Sequence, residues 1–164
     1  MIFIEKIKTE NELYKIAVLA EQIWHECFIG IISEKQIGYM VENFQSFNAM
    51  KNQVNQGYYY LSVRNNDDLC GYIGVKPEND DRFFLSKLYL RKDMRGNGIA
   101  KEMLRRVFEE ARNIGKKSVY LTVNKHNTHA IEVYKKTGFS VIEAVITDIG
   151  GGFVMDDYVM EYKL

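Results

Sequence analysis

The sequence predicts a mixed α/β (α+β) fold built on one central sheet. Two observations carry this. Short β-rich runs and amphipathic helical runs both occur, and they alternate only in the second half of the chain. There, the turn Arg95-Gly96-Asn97-Gly98-Ile99-Ala100 joins a strand-like run, 83–90, to a helix-like run, 99–114. Strand, crossover helix and strand require at least one parallel pair, while closely spaced strands elsewhere read as antiparallel hairpins. At 164 residues the chain fits a single domain, 1–164, with room for one good core.

The elements follow in order. Phe3 to Ile7 is a short strand. Thr9 to Phe28 is helical, because Leu13, Ile16, Ala17, Ala20, Ile23, Trp24 and Cys27 fall at spacings of three and four. Thr9 with Glu12 matches a capping box. A second helix starts after Ser33, with Ile37, Met40, Val41 and Phe44 as its stripe, and a third covers Ala49 to Val54. Tyr58–Val63 and Leu69–Val75 are strands joined by a turn at 64–68. The consecutive tyrosines 58, 59 and 60 alternate faces, so at least one is core. After a turn at Asn79-Asp80-Asp81 come the strand Phe83–Leu90 and a helix ending at Gly115. Ser118–Val123 is a strand and Asn127–Lys136 a short helix stopped by Gly138. Phe139–Ile146 and Phe153–Tyr162 are the last of seven strands, around Gly150-Gly151-Gly152, which reads as a wide, mobile connection.

Lys plus Arg and Asp plus Glu number 22 each, so no basic excess points to nucleic acid. No apolar run approaches the roughly 20 residues needed to cross a bilayer. Met1 to Lys6 does not read as a secretory signal, and Cys27 and Cys70 have no partners nearby in sequence. Both points lead to the expectation of a reducing cytoplasm. His126 and His129 lack a third ligand at useful spacing, so no metal is expected.

The glycine-rich turn carries the functional signal. Glycines let a phosphate approach the main chain, and backbone N–H groups at a helix start bind anionic oxygens. Such turns also occur as plain connectors. Lys101 stands where a dinucleotide fingerprint needs its third small residue, and no Gly-Lys-Ser/Thr run exists. The reading is a diphosphate cradle of another kind.

With that turn, the later run resembles the GNAT family of acetyl-CoA-dependent N-acetyltransferases. Arg95, Gly98 and Ala100 match the family's cradle pattern. Asn127, Ala130, Tyr134, Gly138 and Phe139 match its second signature in order and spacing. The tail from Asp148 to Tyr162 looks like that of the bacterial polyamine acetyltransferase branch. The resemblance implies the GNAT acyl-CoA N-acyltransferase fold: about seven strands, mostly antiparallel, with a splayed parallel pair and four or five helices.

It also implies roles. Acetyl-CoA is the cosubstrate, held between the strands 83–90 and 118–123. The main chain of Leu88, Tyr89 and Leu90 pairs with the pantetheine arm as an added strand. Arg95, Gly96, Asn97, Gly98, Ile99, Ala100 and Lys101 hold the diphosphate. Tyr134 is the general acid that protonates the leaving thiolate. Asn127 caps its helix or bonds the coenzyme arm, with Asn124 a weaker case of the same. The base is open among Glu26, His25, Asp148, Asp156 and Asp157, which together suggest an acidic groove for a cationic amine. The expected reaction is direct attack of a small primary amine, such as a polyamine, on acetyl-CoA in a ternary complex. Acetylation of a protein N-terminus or lysine, and a non-catalytic acyl-CoA-binding module, are the alternatives. A homodimer paired through the apolar final strand is a further expectation.

Overall fold

The structure, a computed structural model, describes residues 1–164. Local chemistry sets most helix starts. In α1 (Glu10–Cys27) Thr9 Oγ1 accepts the Glu12 amide at 3.2 Å, and Glu12 reaches back to the Lys8 amide. Ser33 caps α2 (Glu34–Met40), which runs into a π-helical turn at Val41–Gln45. Ser46 caps α3 (Phe47–Asn55), and Asn127 caps α5 (Thr128–Thr137). Each cap answers one of the otherwise unpaired amides of a first turn. The exception is α4 (Ile99–Asn113), which begins at Gly98 with no side-chain cap.

The strands are β1 (Ile2–Lys6), β2 (Tyr59–Asn65), β3 (Asp68–Pro77), β4 (Arg82–Leu90), β5 (Ser118–Asn124), β6 (Ser140–Gly150) and β7 (Phe153–Lys163). They form one seven-stranded sheet in the order β1-β2-β3-β4-β5-β7-β6. Every pairing is antiparallel except β4 with β5. On the back face, α4 and α5 bury Phe83, Leu85, Val119, Leu121, Val123 and Met160 against Met103, Leu104 and Val107. Each such side chain stabilises the fold by about 1.5–3 kcal/mol relative to exposure. On the front face, α1 to α3 cover Tyr60 and Tyr72 with Leu13, Ile16, Ile23 and Met50. Of the three consecutive tyrosines, Tyr60 is the fully buried one, while Tyr59 packs against the back layer.

The parallel pair is short. It holds only for Arg82–Ser118, Phe83–Val119 and Phe84–Tyr120. Just beyond, the β3–β4 register shifts at Gly74/Val75, with Lys87 opposite Gly74 and Leu85 opposite Val75. Ser86 is therefore an extra residue, and a bulge of this kind bends its strand. β4 turns away with β3 while β5 stays paired with β7 along its whole length, and a gap opens between them. Under the front helices Lys87 is buried, and its ammonium donates to Phe44 O at 2.7 Å and Gln53 Oε1 at 2.6 Å. Burial pulls its pKa down to about 7, and those acceptors tie the bent strand to the π-helical turn and to α3.

Two expectations are corrected here. Gly150-Gly151-Gly152 is no wide connection. Gly150 pairs with Phe153, and Gly151 and Gly152 have φ of +61° and +80°, the tight mirror-image turn that suits strand twist. The final strand is not at an edge either. β7 inserts between β5 and β6, so the edge strand at that end of the sheet is β6, most of whose side chains are exposed.

Candidate active site

The gap between β4 and β5 is bordered by peptide groups without a neighbouring strand. Arg91 N donates to Cys70 O at 2.8 Å, so residue 91 faces β3. Alternation along an antiparallel pair then turns the peptide groups of Leu88 and Leu90 toward the gap, whereas those of Tyr89 face Tyr72 of β3, so the expected pairing of the Tyr89 main chain with the coenzyme arm is corrected. Leu90 O accepts the Arg95 guanidinium at 3.3 Å, and the same guanidinium contacts Cys27 Sγ on α1. Burial pushes the Cys27 thiol up, opposed by Arg95.

At the end of the gap stands the start of α4. Arg91 fixes the approach by pairing with Asp68 at 2.8 Å and Asp93 at 2.6 Å. Gly98 takes φ +77°, and nothing lies within 4 Å of where a Cβ would stand. The first-turn amides are uncapped, and Ile99, 5% exposed, anchors the helix in the core. Open amides at the positive end of a helix form an anion site. Residues 95–101 are thus brought together with Leu88 and Leu90 along one channel.

Tyr134 sits in the last turns of α5. Its carbonyl accepts the amides of Gly138 and Phe139, which folds Phe139 back onto its ring, edge to face at 5.6 Å. The ring is thereby fixed, and the hydroxyl has no hydrogen-bond partner within the protein. Burial pushes the phenol up to about 12, so it holds its proton at neutral pH. Tyr89, packed in the front layer, is its electrostatic neighbour. Burial, then the neighbouring Tyr134, Cys27 and Asp157, push the Tyr89 phenol well above its ordinary range.

The remaining candidates separate. Asn127 accepts the Ala130 amide at 3.4 Å, the capping role. Asn124 is buried and accepts the His126 amide at 2.8 Å, shaping the turn after β5. His25 is exposed on α1. Glu26 accepts from Gln22 at 3.1 Å and lines a shallow cleft with Arg91, Lys92 and Asp93, on the cradle side. Asp148 accepts the Gly150 amide at 2.9 Å and serves its own hairpin tip. Asp156 pairs with Lys125 at 2.8 Å. Only Asp157 is buried on the front face, where Trp24, Phe28, Tyr89 and Met155 gather. The five candidates therefore do not form one acidic groove. No group of three or more His, Cys, Asp or Glu side chains is placed to hold a metal ion.

Residues 17–139 match the profile of the acetyltransferase (GNAT) family. The chain belongs to that family. Among relatives, a probable spermine N(1)-acetyltransferase of Bacillus subtilis subsp. natto is 27% identical over 118 residues, covering 66% of this chain and 75% of that protein. A chloroplastic GCN5-related N-acetyltransferase 6 of Arabidopsis thaliana is 38% identical over 73 residues, which are 44% of this chain but only 25% of the plant protein. Among solved structures, the PaiA N-acetyltransferase of Thermoplasma acidophilum in complex with coenzyme A superposes with a TM-score of 0.84 at 25% identity, over 100% of this chain and 99% of that one.

Within this GNAT chain, sequence reading missed a clamp. Tyr39 of α2 donates to Ile149 O at 2.8 Å, and Gln36 donates to Val154 O at 2.9 Å. Together they hold the β6–β7 tip against the helix. The Gly-Gly pair between β-rich runs is a tight-hairpin signal, but nothing local points to Tyr39. A Cβ at Gly151 would meet the Tyr39 ring at 2.6 Å. Gly151→Ala is therefore expected to destabilise the protein by about 1–3 kcal/mol. It should also raise the acceptor KM more than it lowers kcat. Thermal melting and steady-state kinetics check both.

Proposed function

We propose that the protein transfers the acetyl group of acetyl-CoA to the primary amine of a small cationic acceptor, by direct attack in a ternary complex. One observation carries the reading: a gap in the sheet runs from an uncapped helix start to an unpartnered tyrosine hydroxyl. The coenzyme fills it in order. Its diphosphate takes the amides of residues 95–101, its pantetheine amides pair with Leu88 and Leu90, and its thioester lies beside Tyr134. When the amine attacks the carbonyl carbon, the C–S bond breaks and Tyr134 gives its proton to the sulfur.

The acceptor enters on the front face. There the rings of Trp24, Phe28 and Tyr89 pack against one another, and the Asp157 carboxylate is buried on the same face. Aromatic faces and a buried anion suit a cationic amine. The hairpin tip is tied to α2 through Tyr39 and Gln36, which fixes a segment that an extended peptide acceptor would need to displace. That favours a small acceptor over a protein. The Bacillus relatives named for spermine and spermidine acetylation agree with it, and the two free cysteines fit a reducing cytoplasm.

The test is direct. Purified protein is incubated with acetyl-CoA and a panel of polyamines, simple alkylamines, amino acids and N-terminal peptides, and free thiol is followed. Amine-dependent thiol release, greatest with polyamines, is the expected result. Release with peptides alone would overturn the small-acceptor reading, and none with any amine would overturn acetyl transfer.

A further inference from the structure

β7 carries two adjacent carboxylates, and strand alternation sends them to opposite faces. Asp156 is neutralised by Lys125 Nζ at 2.8 Å. Asp157 lies on the front face, in register with Asn124 at the end of β5 and with Val145 of β6. It is 7% exposed, and its Oδ1 is buried with no hydrogen-bond partner. A carboxylate oxygen withdrawn from water and left unpaired is strongly unfavourable unless another group binds it. The groups that face it are few. Asp156 and Lys125 flank it, β6 offers the apolar Val145, and β4 brings Tyr89, which is itself next to Cys27 of α1 and Tyr134 of α5. No cation in the chain forms a hydrogen bond or ion pair with it, and Tyr89 of β4 is its electrostatic neighbour on the front face.

We propose that Asp157 receives the ammonium group of the acceptor and takes its proton before attack. This rests on the acetyl-transfer reading above. One ammonium proton passes to the Asp157 carboxylate, giving a neutral amine and a carboxylic acid. The amine nitrogen forms its bond to the thioester carbon. The C–S bond then breaks, and the sulfur takes the Tyr134 proton. The phenolate recovers a proton from the nitrogen, which becomes the amide. Asp157 releases its proton to water, so one proton is produced per turnover.

Burial, reinforced by Asp156 and opposed by Lys125, raises Asp157 to about 6. It is still ionised at neutral pH, yet it is roughly a hundredfold stronger as a base than an ordinary carboxylate. Glu26 also has a buried unpaired oxygen, Oε2, but its Oε1 accepts from Gln22 and it sits in the cleft beside Arg91, Lys92 and Asp93, on the cradle side and away from Asp157.

The experiment compares wild type, Asp157→Asn and Asp157→Glu with one polyamine across pH 5–9. Coenzyme binding and melting are measured alongside. For the wild type, kcat/KM is expected to fall below about pH 6, the limb of a carboxylate that must be ionised. Asp157→Asn should lose about 10²–10⁴-fold in kcat/KM and lose that limb. It should keep its coenzyme affinity within twofold and melt no lower, since it removes a buried charge. Asp157→Glu should recover part of the rate with a displaced limb. An active wild type matched in rate and profile by Asp157→Asn overturns the role of Asp157 alone. A wild type inert with every amine ends the reaction itself, and the proton transfer with it.

Discussion

Replacing Tyr134 by Phe is expected to lower kcat by about 10²–10³-fold while coenzyme affinity stays within about twofold. The drop corresponds to roughly 2.7–4 kcal/mol of transition-state stabilisation at 1.36 kcal/mol per tenfold. The ring is held by Phe139 and by the chain reversal at Gly138, and Phe reproduces those contacts. Only the hydroxyl is removed, and it bonds to nothing else in the protein, so stability should barely change. The size of the loss depends on proton affinity. A phenol raised to about 12 is a weaker acid than an ordinary thiol near ~8.5, which alone would make full transfer uphill. The same dry site raises the proton affinity of the departing sulfur, which narrows that gap. Partial transfer then places the effect in the lower part of the general-acid range. Steady-state rates by thiol release and calorimetry with coenzyme A are the measurements. An unchanged kcat would remove Tyr134 from the chemistry.

Much of this site can be read from sequence because local chemistry determines it. The α1 face, the capping box at Thr9 and the glycine turn before α4 each involve residues a few positions apart, and all lie where periodicity puts them. The parallel pair follows from the interleaved order of elements. What escaped reading depends on contacts distant in sequence. The bulge at Ser86, which opens the gap, is a register event between two strands that look continuous. β7 ends up inside the sheet because β5, 30 or more residues away, offers it an edge along its full length. The acidic candidates looked alike as a set. Strand alternation alone separates Asp156 from Asp157, but deciding which of them faces the groove needs the position of α1. Tyr39 meets the hairpin tip 110 residues further along the chain, and no pattern around it signals that.

Gly98→Asp is expected to lower coenzyme A affinity at least ~100-fold while shifting the melting temperature only slightly. The two effects come from the same helix start. α4 alone begins without a side-chain cap, so its first-turn amides are available to a ligand. Asp is among the best capping residues, and its carboxylate would accept those amides and complement the helix dipole. The backbone at φ +77° opposes this by about 1–2 kcal/mol, although Asp tolerates that region better than most residues. With no atom within 4 Å of a new Cβ, there is no clash to add. The gains and losses for folding therefore nearly cancel. For the diphosphate nothing cancels. It loses its donors to an internal carboxylate and meets a like charge, worth about 4 kcal/mol at 4 Å for an effective dielectric of 20. A ~100-fold loss needs only about 2.7 kcal/mol. Gly98→Ala separates charge from backbone: it should show the φ penalty as a melting decrease with a smaller loss of binding. Calorimetry with coenzyme A and with pantetheine, which lacks the diphosphate, measures the difference, and wild-type affinity in Gly98→Asp would show that the diphosphate binds somewhere other than the start of α4.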